Sequence, residues 1–188
     1  ALDDAALRAR IDRLRPALRR QGFEPALVGE AFALLREASG RVLGRRHFDT
    51  QMMGAWGLLN GRLVEMATGE GKTLTAARAA ATAALAGRPV HVITVNDYLA
   101  QRDAHDLGPL YRFLGLDVGA VVQGMPPPER RRAYAQAIAY CTNKELAFDY
   151  LRDRVALGDR HRPLHMLLER LGGARGADGL VLRGLHFA

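Results

Sequence analysis

Residues 66–73 carry the residue types and spacing that bind phosphate groups in proteins. They read Met66-Ala67-Thr68-Gly69-Glu70-Gly71-Lys72-Thr73. Glycine allows a tight turn that points backbone N–H groups at phosphate oxygens, and a helix that begins near Lys72 adds its positive dipole end. The Lys72 ammonium suits the β- and γ-phosphates of a nucleotide, and the Thr73 hydroxyl suits the accompanying Mg²⁺. The candidate binding residues are Thr68, Gly69, Glu70, Gly71, Lys72 and Thr73, with Thr73 as the magnesium ligand.

This loop departs from the strict pattern G-x-x-x-x-G-K-[ST], because Met66 stands in place of the first glycine. Its form Thr-Gly-x-Gly-Lys-Thr is typical of helicase-like motors. The alternative is a chance glycine-rich turn in front of a helix. We favour the phosphate loop because residues 63–66 predict a short strand before it and residues 72–86 predict a helix after it, the context that the motif requires.

Apolar periodicity predicts the elements that must position this loop. An N-terminal helix is indicated by apolar residues that fall four, three and four apart, namely Leu7, Ile11, Leu14 and Leu18. Further helices are predicted over residues 25–43, 50–59, 97–114 and 143–154, with another opened by the prolines 126–128. Strands are predicted at 89–95, 118–122 and 138–142, with the start of one more at 181–188 after a glycine-rich loop at 172–179.

Strands that alternate with helices of this length imply an α/β fold, with a parallel sheet covered by helices on both faces. We predict two parts, N-terminal helices over residues 1–60 and a partial phosphate-loop domain over residues 61–188. A chain of 188 residues can enclose one sizeable hydrophobic core.

Composition narrows the class of protein. The formal net charge is +7, nearly all of the positive charge is arginine, and Lys72 and Lys144 are the two lysines. This charge permits binding to phosphates, nucleic acid or an anionic membrane surface but selects none of them. Cys141 is the one cysteine, so no intrachain disulfide can form, as in a reducing compartment. The first 21 residues do not resemble a signal peptide, and no run approaches a membrane-spanning length, so we expect a cytoplasmic protein.

Three further stretches match one family in order and spacing. They are Arg-His-Phe-Asp-Thr-Gln at 46–51, Thr-Val-Asn-Asp-Tyr-Leu-Ala-Gln-Arg-Asp at 94–103, and Thr-Asn-Lys-Glu-Leu-Ala-Phe-Asp-Tyr-Leu-Arg-Asp at 142–153. Together with residues 65–73 they resemble the first nucleotide-binding domain of SecA, the motor of bacterial protein export. The resemblance implies a RecA-like P-loop NTPase fold and the ligands ATP, ADP and Mg²⁺. It also implies preproteins and the Sec membrane channel as partners, peripheral association with the inner face of the membrane through an anionic lipid surface, and no specific nucleic acid.

The resemblance also implies roles for individual residues. Gln51 would read the adenine edge with its paired amide donor and acceptor. Phe48 and Arg45 would flank the base, although Arg45 stands where SecA proteins often carry Met. Residues 69–73 would hold the phosphates. The stretches Asn96-Asp97-Tyr98 and Thr142-Asn143 would couple the nucleotide state to the translocating polypeptide.

Residues 185–188, Leu-His-Phe-Ala, resemble the stretch that leads into the family's acidic Asp-Glu-x-Asp box. No acidic box follows Asp178, so we expect no catalytic residue in this chain and negligible ATP hydrolysis by it. Residues 154–184 form a longer, Arg- and Gly-rich insert than SecA proteins usually carry, which admits a specialised SecA-like paralogue.

Each of these residues has a structural alternative. Gln51 could be a solvated helix residue, Thr142 with Glu145 fits a capping box, and Asn96 or Asp97 fits a helix N-cap. The aromatic residues Tyr98, Phe148 and Tyr150 could pack in a core or an interface. Residues Arg130-Arg131-Arg132 are interpreted as a solvated helix face. The basic N-terminal helix resembles the SecA segment that approaches lipid and the channel, but it could equally pack its apolar stripe against the domain.

Two other functions stay open at this point. A nucleic-acid helicase of the same superfamily is permitted by the charge, although the sequences around Asn96 and Asn143 match SecA. Binding of single-stranded RNA with a steep salt dependence would favour it. The other alternative is a SecA-like module without catalytic activity.

Overall fold

The computed structural model describes residues 2–157 and 180–182. The helices are α1 (Asp4–Gln21), α2 (Pro25–Leu43), α3 (Asp49–Leu59), α4 (Lys72–Leu85), α5 (Asp97–Phe113), α6 (Pro127–Tyr134) and α7 (Asn143–Leu157). The strands are β1 (Val90–Thr94), β2 (Val118–Ala120) and β3 (Ile138–Thr142). The α/β fold with a parallel sheet is therefore confirmed, and most predicted bounds lie within a few residues of the observed ones.

The three strands form a parallel sheet with the order β1-β3-β2. Ile138 of β3 lies opposite both Val90 of β1 and Val118 of β2. Strand β3 is buried along its whole length because it lies in the middle of the sheet and helices cover it. Such burial on both faces is why parallel strands read as continuous apolar runs in a sequence.

The N-terminal helix packs into the molecule. Its apolar stripe, Leu7, Ile11, Leu14 and Leu18, is buried in one hydrophobic core with residues of α2, α4 and α5. Burying a Leu or Ile side chain contributes about 1.5–3 kcal/mol, so four of them hold α1 firmly in place. The packing alternative is therefore correct for this stripe, and its apolar face is not available to lipid.

Helix α4 runs through the centre of this core and carries the residues that follow the phosphate loop. Its alanine side chains are buried over two turns, from Ala77 to Ala84. Small side chains let α3 approach closely: a Cβ atom added to Gly54 would lie 3.0 Å from Cγ2 of Thr75. The position of the loop before α4 is thus set by a tightly packed helix.

The prediction of a strand at residues 63–66 was wrong. These residues belong to no helix or strand and do not pair with a strand among the residues described. Val64 packs instead on α3, where a Cβ atom at Gly57 would lie 2.8 Å from Cγ2 of Val64. Leu63 points into solvent. An apolar run becomes a strand only when another strand satisfies its backbone groups.

The interpretation of residues 130–132 as a solvated helix face was wrong for Arg130. Its side chain is buried and pairs with Glu145 and Asp149 of α7, with 2.8 Å between Nη1 and Oδ2 of Asp149. The remaining guanidinium hydrogens bind the carbonyl oxygens of Val122 and Met125. Arg132 does lie in solvent. Helix α6 packs on the sheet with one side, and that side carries Arg130.

The predicted loop 172–179 lies outside the described residues, as do most of the insert 154–184 and of the strand predicted at 181–188. Residues 180–182 are described and are not in a strand. Their backbone is held by Asp153, whose carboxylate accepts from the N–H groups of Val181 and Leu182 at 2.8 and 2.7 Å. Within the described ranges, no helix is long and apolar enough to cross a membrane.

Candidate functional site

The glycine-rich loop enters α4 with the geometry that its sequence predicts. Gly69 and Gly71 have φ angles of 89° and 83°, in the left-handed region that favours glycine. Gly71 is the N-cap of α4, and its carbonyl oxygen accepts from the N–H groups of Leu74 and Thr75, so within the described residues the N–H groups of Lys72 and Thr73 are the first-turn donors without a backbone partner. A helix end of this kind attracts anions through those N–H groups and through the helix dipole.

The charged side chains of the loop, Glu70 and Lys72, lie in solvent, and their hydrogen bonds within the described residues are to the loop itself. The Lys72 ammonium is exposed and donates to the carbonyl oxygen of Ala67 at 2.8 Å. The Glu70 carboxylate accepts from the N–H group of Ala67 at 3.1 Å. Thr73 is exposed at the start of α4. An anion could therefore reach Lys72 by displacing one exposed hydrogen bond to a backbone carbonyl.

A second segment, residues 45–51, is fastened to this loop by Gln51. Gln51 is only 5% exposed, so the alternative of a solvated helix residue was wrong. Its amide oxygen accepts from the N–H group of Phe48 at 3.1 Å, and its Nε2 donates to the carbonyl oxygen of Glu70 at 2.8 Å. An amide group has two hydrogens and two lone pairs, so one of each stays available for a ligand.

His47 makes another connection between this segment and α4, which sequence analysis missed. The imidazole is 1% exposed, and its Nε2 lies 3.2 Å from the carbonyl oxygen of Leu74. A carbonyl can only accept, so Nε2 carries the proton. Burial, and then the positive charge of Arg78, lower the pKa of His47 to about 4, which keeps the ring neutral at pH 7. The signal in the sequence was a histidine between Arg46 and Phe48, inside the matched stretch 46–51.

The loop and the segment 45–51 border one open pocket of about 1050 Å³. Its lining includes five of the predicted site residues, Arg45, Phe48, Gln51, Gly71 and Thr73. The other predicted residues, Thr68, Gly69, Glu70 and Lys72, are exposed on the loop beside it and do not line it. The structure thus brings the two predicted halves of the site together around one concave surface, of the size that ligand sites have.

Helix α5 closes the opposite side of this pocket. Arg102, Asp103, His105 and Asp106 line it, and the Arg102 guanidinium binds the Asp103 carboxylate at 2.7 Å. Sequence analysis assigned no binding role to these side chains. The available signal was Arg102-Asp103 at the end of the matched stretch 94–103, but nothing in that stretch showed which way the helix would face.

Local roles in the other two matched stretches are mostly structural. Asn96 caps α5, accepting from the N–H group of Leu99 at 2.9 Å, as predicted. The Thr142 hydroxyl accepts from the N–H group of Glu145 at 3.2 Å, but the Glu145 carboxylate turns to Arg130, so one half of the predicted capping box is formed.

The aromatic side chains of these stretches were expected in a core or an interface. Tyr98, Phe148 and Tyr150 are all exposed, so the core interpretation was wrong. The aromatic residues that do enter the core come from other places, such as Tyr111 and Tyr140, whose hydroxyl groups lie 2.8 Å apart.

Comparisons with a family model and with individual known proteins point to the same family. The model of the SecA DEAD-like domain matches residues 1–188. Protein translocase subunit SecA 2 of Bordetella avium is 53% identical over 188 residues, which is 100% of this chain and 28% of that protein. Protein translocase subunit SecA 3 of Magnetococcus marinus is 53% identical over 184 residues, 97% of this chain and 28% of that protein. Protein translocase subunit SecA of Nitrosococcus oceani is 53% identical over 156 residues, 83% of this chain and 17% of that protein.

The chain thus spans less than a third of the length of these relatives. The matched region contains the glycine-rich loop, the segment 45–51 and the pocket between them. Match over the whole chain and identity at this level establish common descent and a common fold: the chain belongs to the SecA DEAD-like domain family.

Proposed function

We propose that this chain is the ATP-binding part of a SecA-type motor, which couples ATP hydrolysis to the passage of preproteins through the Sec channel of the cytoplasmic membrane. One observation carries the proposal: the buried Gln51 amide fastens the base-contacting segment to the phosphate loop, so both halves of a nucleotide site face one pocket. The relatives' names, protein translocase subunits, support the transport role.

The phosphate half is supported by the loop geometry. Lys72 would exchange the carbonyl oxygen of Ala67 for phosphate oxygens, and because it is exposed this exchange costs little. The first-turn N–H groups of α4 would hold the same phosphates. The Thr73 hydroxyl is exposed at the pocket wall, which fits a magnesium ligand beside them. Bound Mg²⁺ would neutralise phosphate charge and orient the phosphates.

The base half is supported by the hydrogen-bonding capacity that Gln51 retains after its contacts with Phe48 and Glu70. One amide hydrogen and one lone pair match the acceptor and donor on the edge of adenine. Phe48 and Arg45 are exposed at the same pocket, and an aromatic ring or a guanidinium plane can lie against a flat base. Arg102 faces them from α5 and would add a charge on the far side.

The division at residues 60 and 61 stays a prediction, as do contacts with preproteins, with the channel and with anionic lipid at the inner membrane face. The helicase alternative rested on the net charge of +7, and no contact in the described residues adds support to it.

The test is calorimetric titration of the chain with Mg²⁺-ADP, using wild type, Lys72→Ala and Lys144→Ala. Losing one charged contact to phosphate should weaken binding by about 10- to 100-fold. Lys144 is the matched control because it is the other lysine, is also exposed, and lies at the start of another helix, α7. Equal affinities for the two variants, or no binding by wild type, would contradict the proposal.

A further inference from the structure

The segment 45–51 has separate attachments on its two sides. On the side of α2, the Ser39 hydroxyl donates to the carbonyl oxygen of Arg45 at 2.6 Å. On the side of the phosphate loop, His47 reaches Leu74 and Gln51 reaches Glu70. The segment is thus tied to the loop both before α4 and within its first turn.

The contact between His47 and Leu74 lies where it can fix the distance between the segment 45–51 and the first turn of α4. Leu74 directly follows Lys72 and Thr73 in the first turn of α4, and it also lines the pocket. Phe48, the exposed candidate for the base, directly follows His47. The buried imidazole therefore joins the backbone next to the residue that would meet the base to the turn that would meet the phosphates.

We propose that His47 is a positioning residue, whose neutral imidazole holds the base-contacting segment at a fixed distance from the phosphate-binding turn. The inference rests on the nucleotide site proposed above. A nucleotide must touch both halves at once, so a shift of the segment weakens binding of the base and leaves phosphate binding intact. His47 acts through Phe48 and Gln51 and does not touch the ligand.

The surroundings of the ring favour one orientation. Arg78 and Arg36 are the charged groups that act on it, and both are positive. Within the described residues, Nδ1 of His47 has no hydrogen-bond partner. The ring is therefore held through Nε2 alone, by one donated bond to the backbone of α4. A side chain with a donor at the same distance should replace it, whereas an apolar side chain should not.

The test separates the base from the phosphates. The 188-residue chain is titrated with Mg²⁺-ADP and with magnesium pyrophosphate, as wild type, His47→Leu and His47→Gln. His47→Leu should weaken ADP binding by about tenfold and change pyrophosphate binding by less than about threefold. The amide of His47→Gln carries a donor at the position of Nε2, so this variant should bind ADP within about threefold of wild type.

The matched control is His91→Leu. His91 is also buried, but it lies on β1 against the Tyr134 ring, with 5.7 Å between ring centroids, and not on the nucleotide pocket. It should leave the ratio of ADP to pyrophosphate affinity unchanged. Circular dichroism and thermal unfolding of each variant check that the fold is retained.

The outcomes are distinct. If wild type binds neither ligand, the proposed function fails, and this inference fails with it. If wild type binds both, and His47→Leu binds ADP as wild type does or loses both ligands in parallel, the nucleotide site stands and the positioning role of His47 is overturned. Failure of His47→Gln to restore ADP binding, with its fold intact, would also overturn it.

Discussion

Two buried arginines, Arg130 and Arg78, lie in two regions of this molecule that differ in how the buried charge is neutralised. Arg130 of α6 is 6% exposed, and its guanidinium is surrounded by the carboxylates of Glu145 and Asp149 and by two carbonyl oxygens. Arg78 of α4 is 1% exposed, and it donates to the carbonyl oxygen of Phe32 at 3.0 Å with its guanidinium 5.0 Å from the Phe32 ring. Within the described residues, its Nε and Nη2 have no partner.

The contrast separates a structural region from the region that we propose to bind nucleotide. The network between α6 and α7 is closed, because each charge in it has an opposite charge within reach. On the nucleotide side, burial, and then the charge of Arg36, lower the pKa of Arg78 to about 9, so it is still positive at pH 7. An uncompensated positive charge lies behind the turn that we propose to receive phosphates, where an anionic ligand would benefit from it.

The largest expected effect is on the closed network. Arg130→Met leaves the buried Glu145 carboxylate without its cation and Asp149 with the more exposed Arg152 as its ion-pair partner, and breaking a buried pair in this way costs about 3–5 kcal/mol of unfolding free energy. Urea unfolding measures the loss. Arg132→Met on the same helix is the control, since Arg132 is exposed and its change should cost less than about 0.5 kcal/mol. Similar losses for the two variants would remove the distinction between the regions.

Lowering the pH should reduce the free energy of unfolding by protonating His47 beside the proposed nucleotide site. Its pKa of about 4 in the folded chain lies below the ordinary value of 6.5, so the unfolded chain binds the proton more readily. The stabilisation is complete above pH 6.5 and is lost as the pH falls toward 4, where the loss reaches about 3 kcal/mol. Urea unfolding between pH 7 and pH 4 measures it, with His47→Gln as the non-titrating reference. Identical pH profiles for the two proteins would contradict the buried neutral ring.

Gly69 and Gly71 both have left-handed backbone conformations, so the same substitution can be compared at the two positions. Alanine in this conformation costs about 1–2 kcal/mol at either position. At Gly71 the added Cβ would also collide with the Gln51 amide, whereas at Gly69 it would meet open space. Gly71→Ala should therefore weaken Mg²⁺-ADP binding by about tenfold more than Gly69→Ala. Equal losses in calorimetry would mean that Gln51 does not lie against the loop when nucleotide binds.

The smallest expected effect is at Arg78. Replacing a buried, unneutralised guanidinium with an apolar side chain of similar length is often neutral or stabilising. Arg78→Met should change the unfolding free energy by less than about 1 kcal/mol, in contrast to the same substitution at Arg130. It should also raise the pKa of His47, because it removes a positive charge that lowers it. NMR titration of the imidazole measures that shift, and a loss of several kcal/mol would show that Arg78 has a partner in the folded protein.

Local patterns predicted most of the fold and the outline of the candidate site. Helices α1, α2, α4 and α5 follow from apolar periodicity, from caps such as Asn96 and from glycine stops, which act over a few residues. The glycines of the phosphate loop specify its shape in the same way, because their φ angles exclude other residues. Gln51 and Lys72 could be proposed as site residues from the sequence because their motifs are short and continuous.

By itself the sequence determined most of the elements, the loop conformation and the family, since each depends on neighbours along the chain. The tertiary structure alone decided that Arg130 is buried, that residues 63–66 lie on α3, and that α5 closes the pocket. It also decided that His47 lies between the two halves of the site. Burial and partnership depend on segments that are distant in the chain, and a pattern of neighbouring residues contains no information about which of them will meet.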